Sequence, residues 1–223
     1  MQAAILAAGK GTRMGQLTTH IPKPLLKVRD QTLIEHVIRA LPKRISELVV
    51  VVDYLGDMVR DWLGESFLYR KVVFVEQVLP GTGGALLSAK PYLQSKFMVV
   101  NSDDIYSQGD LESLVSGETP AQGIVKRVRY ASNAESIVFD NEGILTGRIK
   151  VSPVSSRWLG TGAFFLNNLI WQEEFVRLKN GELSIPHTVA KAGFRVRVIP
   201  FGNWLPVNTP EELAIAEKSL AQT

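Results

Sequence analysis

The stretch Ile5–Gly15, ILAAGKGTRMG, joins a short apolar run to a loop carrying three glycines, two cations and a threonine. The run it extends, AAILA (3–7), reads as a buried strand. The spacing Gly9-x-Gly11-x-x-Met14 begins like a dinucleotide fingerprint and lacks the third glycine. No Gly-Lys-Ser/Thr follows at the P-loop distance either. Gly9 and Gly11 still let the backbone turn tightly and bring N–H groups against an anion. Lys10 and Arg13 add positive charge, and the Arg13 fork suits two phosphate oxygens. A loop that merely turns a corner would look the same in isolation, so its surroundings decide.

Working outward, LVVVVD (48–53), VVFVE (72–76) and FMVVN (97–101) read as three further buried strands. Between them lie helical stretches. TLIEHVIRAL (32–41) opens on the capping-box pattern Thr32-x-x-Glu35, and DMVRDWLG (57–64) ends on a stop glycine. GALLSAKPYL (84–93) is the third. This alternation predicts an α/β fold with a parallel sheet covered by helices on both faces. Beyond about residue 120 the pattern changes to close-set strand candidates at 122–130, 135–139, 143–151 and 160–167, with DNEG (140–143) as a turn. Helices are expected again at 168–179, 184–192 and 209–221. No internal repeat or low-complexity linker interrupts the chain, which predicts one continuous domain.

Composition narrows the function classes. Of 223 residues, 45% are hydrophobic and 21% charged, ordinary for a soluble globular protein. The net charge of +3 suits an anionic substrate, but the cations are spread along the chain, which speaks against nucleic acid as a partner. With no cysteine, disulfides and thiolate chemistry are excluded, and His20, His36 and His187 have no metal-ligand spacing. No apolar run approaches the ~18 residues of a membrane span. A cytoplasmic enzyme, with homo-oligomerisation left open, is the expectation.

In open α/β sheets ligands bind beyond the carboxyl ends of the strands. That rule should gather the exits AAGKGTRMG, EQVLPGTGGA and NSDDIY on one rim. In HIPKPLL (20–26) two prolines stiffen the chain around Lys23, holding an ammonium where negative charge could develop in phosphoryl transfer. Asp103 and Asp104 leave a buried strand, where one aspartate is the minimum for a Mg²⁺ held mainly by substrate phosphates.

LAAGKGTRM, PKPLL, GTGGAL, VNSDD and WLPVNTPEELAIAE, in that order, resemble the sugar-1-phosphate nucleotidylyltransferase (nucleotide-sugar pyrophosphorylase) family from residue 3 to about residue 218. The resemblance implies a Rossmann-like, open, mixed and mostly parallel sheet of the nucleotide-diphospho-sugar transferase type. It implies a nucleotide-binding half (1–119) and a sugar-phosphate-binding half (120–223). The implied reaction is Mg²⁺-dependent nucleotidylyl transfer from an NTP to a sugar 1-phosphate, giving an NDP-sugar and pyrophosphate. By analogy, Leu6, Ala7, Ala8, Gly9, Lys10, Gly11, Thr12 and Arg13 wrap the nucleotide, with Lys10 and Arg13 on the β- and γ-phosphates. Arg13 and Lys23 are the implied catalytic cations, and Asp103 and Asn208 the metal ligands. Glu76 or its neighbour Gln77 would read the base, with Gly81 and Thr82 approaching through backbone. A glutamine both donates and accepts, whereas a carboxylate only accepts. Glu76 thus points to GTP or CTP, and Gln77 leaves UTP in play.

The acceptor half departs from the family pattern. The usual Glu-Lys-Pro is absent from GRIKVSPVSSRW (147–158), leaving Lys150 or Arg148 as substitutes, and Asn-x-Gly has become Gly160-Thr161-Gly162. Gly162, Lys150 and Glu182 are the expected acceptor contacts. These departures admit two alternatives. One is a cytidylyltransferase acting on a polyol or amino-alcohol phosphate. The other is a catalytically inactive nucleotide-binding regulatory protein. A glycosyltransferase would share the general fold, but PKP speaks against it.

Overall fold

Leu48 to Val52 present five consecutive apolar side chains, all fully buried. Only a strand sandwiched between two packed layers can bury both of its faces in this way. The structure, a computed structural model, describes residues 1–117, 120–127, 135–150 and 157–221. In chain order it runs β1 (Gln2–Leu6), β2 (Lys27–Val28), β3 (Gln31–Thr32), α1 (Leu33–Ala40), β4 (Glu47–Val52), α2 (Gly56–Leu63) and β5 (Ser66–Phe67). Next come β6 (Arg70–Glu76), α3 (Gly81–Ala89), β7 (Lys96–Asn101), β8 (Asp104–Tyr106) and α4 (Gln108–Val115). Then follow β9 (Ala121–Arg127), β10 (Glu135–Phe139), β11 (Leu145–Lys150) and β12 (Arg157–Asn167). The chain finishes with α5 (Ile185–Lys191), β13 (Arg197–Pro200), β14 (Trp204–Pro206) and α6 (Pro210–Ser219).

Eight strands form one sheet in the order β13-β9-β12-β7-β1-β4-β6-β5. β1 pairs parallel with β4 and β7, β4 with β6, and β9 with β13. β12 runs antiparallel to both β7 and β9, so one reversed strand sits inside an otherwise parallel sheet, with a second, β5, at its edge. The expected mixed, mostly parallel sheet is therefore present. Strand alternation divides the core. Met98 and Val100 of β7 join Ile34, Val37 and Ile38 of α1 on one face. Phe97 and Val99 pack with Leu86, Ile185 and Val189 on the other.

Local signals act as the sequence predicts at several points. Thr32 caps α1 by accepting from the Glu35 amide at 3.3 Å, and Gly64 closes α2 at φ 60°. Two segments differ. The expected helix at 168–179 is only a short 3-10 turn, Asn168–Gln172. Trp171 stacks on Phe97 there, with ring centroids 5.5 Å apart, and the chain beyond it folds back on itself. Ser184 N donates to Val176 O and Leu178 N to Glu182 O, so tertiary pairing overrides a helix-compatible pattern. α3 begins at Gly81, three residues before the expected start, so Gly81 and Thr82 are the first turn of a helix and not a free loop. Parts of the expected strands at 122–130 and 143–151 lie outside the described residues.

Candidate active site

The first loop is held at the end of the sheet by bonds that continue the strand register. Ala7 N donates to Val51 O, Ser102 N to Leu6 O and Gln77 N to Val52 O, at 2.8, 3.2 and 2.9 Å. Because these bonds align the strand ends, the exits after β1, β6 and β7 open on one rim. There they line a cleft of about 760 Å³. Leu6, Ala8, Gly9, Lys10, Gly11, Thr12 and Arg13 form one wall, and Gln77, Gly81 and Thr82 another. Asp103, Asn208, Gly162 and Glu182 also face it.

Its most connected group is Lys23. Pro22 enters in the extended region (φ −65°, ψ 142°) and Pro24 sits inside the 3-10 turn Lys23–Leu25, so the two prolines fix where the lysine leaves the backbone. The Lys23 side chain is almost fully buried, and its ammonium pairs with Asp103. It also donates to Asn208 Oδ1 at 3.3 Å, while Arg13 Nη2 donates to the same oxygen at 2.9 Å. Gly11, at φ 64°, lies against the lysine stem, where any side chain would crowd Lys23 Cβ. Met14, buried behind the loop, anchors the turn that presents Arg13. Four polar groups from separate segments thus converge.

This donor set suits a hard cation. Asp103 and Asn208 offer oxygens, and a single ammonium already reaches both of them. Among the described residues no group of three or more His, Cys, Asp or Glu side chains clusters together. A metal here would therefore complete its shell with waters and substrate phosphates, as Mg²⁺ commonly does.

Asp104 behaves differently from its neighbour. Burial, and then the charge of Asp103, push its carboxyl up to about 8, against hydrogen bonds from Asn101 and Tyr106 and the charge of Lys23. Asn101 Nδ2 and Tyr106 Oη each approach Asp104 Oδ2 at 3.1 Å. Tyr106, itself pushed well above its usual range first by burial, also lies within donating distance of Thr161 O, at 3.0 Å. This knot ties β7 and β8 to the bulge of β12, and Gly162 (φ 73°) passes so close to Asn101 that a side chain would collide with its amide.

Four of the expected site residues sit differently in the structure. Glu76 lies outside the cleft, and its exposed carboxylate pairs with Arg60 of α2. Strand alternation turns it away, and the offset of one residue gives the cleft to Gln77. Gln77 does not keep its ambivalence either. Its Nε2 donates to Leu79 O at 2.6 Å and to Gly81 O at 3.2 Å, leaving Oε1 as the free end. The flipped amide would set oxygen against two carbonyls, so the hydrogen-bond network assigns the nitrogen to this side. Lys150, exposed at the end of β11, does not reach the cleft, and Ala7 is buried beneath the loop without lining it.

Asp53, Asn101, Ser102, Thr161 and Trp204 line the cleft without having been singled out. Asp53 directly follows β4, so the strand-exit rule applied to every strand would have found it. Thr82 is bound to structure, since its Oγ1 accepts from Ile185 N at 3.1 Å.

A sequence model of the MobA-like NTP transferase domain family matches residues 3–139. The chain belongs to this family. Among its curated relatives, the bifunctional protein GlmU of Methanococcus aeolicus is 32% identical over 173 residues, 77% of this chain and 41% of that protein. The bifunctional IPC transferase and DIPP synthase of Archaeoglobus fulgidus is 27% identical, across 99% of this chain and 44% of that one. The chain spans about half the length of the curated relatives it matches. The inositol-1-phosphate CTP transferase from T. maritima superposes with a TM-score of 0.78 at 23% identity, covering 97% of this chain and 93% of the other. HddC from Yersinia pseudotuberculosis, solved with GMP-PN, gives 0.76 at 19%, covering 98% and 99%. These superpositions establish the shared fold.

Proposed function

We propose that this chain transfers a nucleotidyl group from an NTP, with CTP the favoured donor, to a phosphorylated polyol or sugar, releasing pyrophosphate. The observation that carries the reading is the meeting of Lys23, Asp103, Asn208 and Arg13 in a cleft walled in part by glycines. A phosphate oxygen of the acceptor attacks the α-phosphorus, a new O–P bond forms, and the bond from the α-phosphorus to the bridging oxygen breaks. No proton has to be removed from an ionised phosphate, so the protein's task is to position and to neutralise charge. Loop N–H groups, Lys10 and Arg13 hold the β- and γ-phosphates, and Lys23 faces the reacting centre.

Asp103 and Asn208 are the residues that would hold Mg²⁺, which supplies charge neutralisation on the phosphates when bound. Residues 1–119 serve the nucleotide and 120–223 the acceptor. The donor preference rests on two observations. Gln77 offers only an acceptor oxygen, which fits a base amino group and so favours CTP, GTP or ATP over UTP and dTTP. A structural neighbour across nearly the whole chain carries CTP and inositol-1-phosphate in its name. The test is pyrophosphate release from ATP, CTP, GTP, UTP and dTTP with Mg²⁺ against a shared panel of sugar and polyol phosphates. CTP-dependent release is expected. Silence from all five donors, each shown to bind by thermal shift, would refute transfer.

A further inference from the structure

Behind the loop that walls the cleft, two hydroxyl groups are spent on its backbone. The segment from Thr12 to Thr18 is a 3-10 turn broken at Gly15, whose φ of 60° and ψ of −130° favour glycine. Thr18, 4% exposed, reaches back across this break: its Oγ1 lies 3.0 Å from Gly11 O and 3.3 Å from Gly15 O. Gly11 O also accepts from Met14 N at 2.8 Å, so both of its lone pairs are engaged. Tyr54 then holds Thr18 from beyond the end of β4, with its Oη 3.2 Å from Thr18 O and 3.0 Å from Thr19 O. Neither Thr18 nor Tyr54 lines the cleft.

The support for Tyr54 is itself fixed. It stands two residues past β4, in a turn closed by Gly56 N donating to Asp53 O at 3.0 Å. The loop is thus tied to β4 at both ends, by Ala7 N on Val51 O at its start and by Tyr54 at its finish. This sets a direction. In a trans peptide the carbonyl of Gly11 and the N–H of Thr12 point opposite ways. With Gly11 O drawn toward Thr18 and Met14, the Thr12 N–H turns to the other side, and Thr12 lines the cleft as Gly11 and Arg13 do. As the first residue of its turn, Thr12 has no carbonyl within the turn to donate to. The brace also touches the reacting lysine, because a Cβ at Gly11 would meet Thr18 Cγ2 at 3.1 Å and Lys23 Cβ at 3.0 Å.

We infer that Thr18 and Tyr54 are positioning residues for the triphosphate: their hydroxyls brace the Gly11–Thr12 peptide so that the Thr12 N–H and the Arg13 side chain are aligned before the β- and γ-phosphates arrive. The identity of the ligand rests on the transfer reading above; what is added is the pair of residues that fixes its loop. Gly9, Gly11 and Gly15 make this loop costly to order, since glycine loses more backbone freedom than any other residue. A loop ordered in the free protein spares that loss on binding. Without either hydroxyl, part of the ordering falls on the phosphates, while a nucleoside held at the Gln77 wall is unaffected.

The experiment measures, by calorimetry on the whole chain, binding of CTP, CMP and inorganic tripolyphosphate, each with Mg²⁺, alongside melting temperature and steady-state kinetics. Thr18→Val keeps the side-chain volume and loses the hydroxyl. It is expected to weaken CTP and tripolyphosphate about tenfold while CMP stays within about twofold. Tyr54→Phe should weaken them about threefold with the same selectivity, and Thr18→Ser should bring CTP binding back to within about twofold of wild type. In turnover the CTP KM should rise and the acceptor KM hold. Equal weakening of CTP and CMP, or a lower melting temperature with CTP binding unchanged, would make the hydroxyls supports of the fold alone and overturn the inference. If Thr18→Val does not fold, the selectivity of Tyr54→Phe decides. A loss confined to the triphosphates, in a protein whose wild type releases no pyrophosphate, sustains the inference while the transfer reading falls. Wild type that binds neither CTP nor tripolyphosphate overturns it.

Discussion

Replacing Lys23 with methionine keeps the length of a nearly buried side chain and removes its charge. Two unit charges about 4 Å apart interact by about 4 kcal/mol at an effective dielectric constant of about 20. The ammonium is already shared with Asp103 and Asn208, and only part of a charge develops between ground and transition state. Taking about half of the full interaction leaves ~2 kcal/mol, a loss of about thirtyfold in kcat. Stability should change by only ~1 kcal/mol, because Asp103 keeps a quarter of its side chain in contact with solvent and can be hydrated. Steady-state kinetics with saturating acceptor, and nucleotide binding followed separately by calorimetry, distinguish the two roles. The reasoning predicts a fall in kcat with CTP affinity changed by less than about threefold. A matched loss in affinity and kcat/KM with kcat intact would make Lys23 a simple anchor and refute it.

Three other outcomes follow from the same geometry. A Cβ added at Gly9 would meet no atom within 4 Å, and the residue has no positive φ, so Gly9→Ala should leave stability within about 0.5 kcal/mol. Any rise in its NTP KM would then report the phosphates directly; an unfolded variant would contradict the geometry. Asp104, pushed up to about 8 from 3.8, keeps in the folded chain a proton that the unfolded chain has released. Its contribution is fully present below 3.8 and is lost as pH rises toward 8. The melting temperature of Asp104→Asn should accordingly vary less than that of wild type between about pH 5 and about pH 8, and parallel profiles would exclude this source. Glu76→Ala should leave nucleotide preference within about twofold, whereas Gln77→Leu should erode it. A preference lost in the Glu76 variant would restore that carboxylate as the base reader.

The strands and the cleft's nucleotide side were legible because their determinants are local. Apolar runs set β1, β4, β6 and β7, and glycine, proline and aspartate at the strand exits marked the rim. α4 and β13 were missed, although Ser107 caps α4 by accepting from the Asp110 amide in a pattern visible in the sequence. The proposed base reader fell between two adjacent residues, since a shift of one along a strand reverses which side chain faces the cleft. The acceptor side was least readable. Lys150 falls outside the cleft's lining, and Gly160 and Gly162 enter it from a strand whose register shifts between Gly160 and Phe164, which no local sequence signal announces. Glu182 reached the cleft for a reason equally hidden, the backfolding of 176–184 onto the first turn of α3.

The reversed strand β12 also gives the protein a particular history during synthesis. β7-β1-β4-β6 is complete once Asn101 has been made, but the open edge of β7, with Phe97, Met98 and Val99, receives its partner only when Asn167 follows. At ~5–20 residues per second that edge stays unpaired for roughly 3–13 s on the ribosome. An apolar unpaired edge is the surface through which nascent chains join one another. The strand that places Gly160 and Gly162 in the cleft is therefore also the one that covers the β7 edge, so changes that slow its docking prolong the exposure of that edge to other nascent chains.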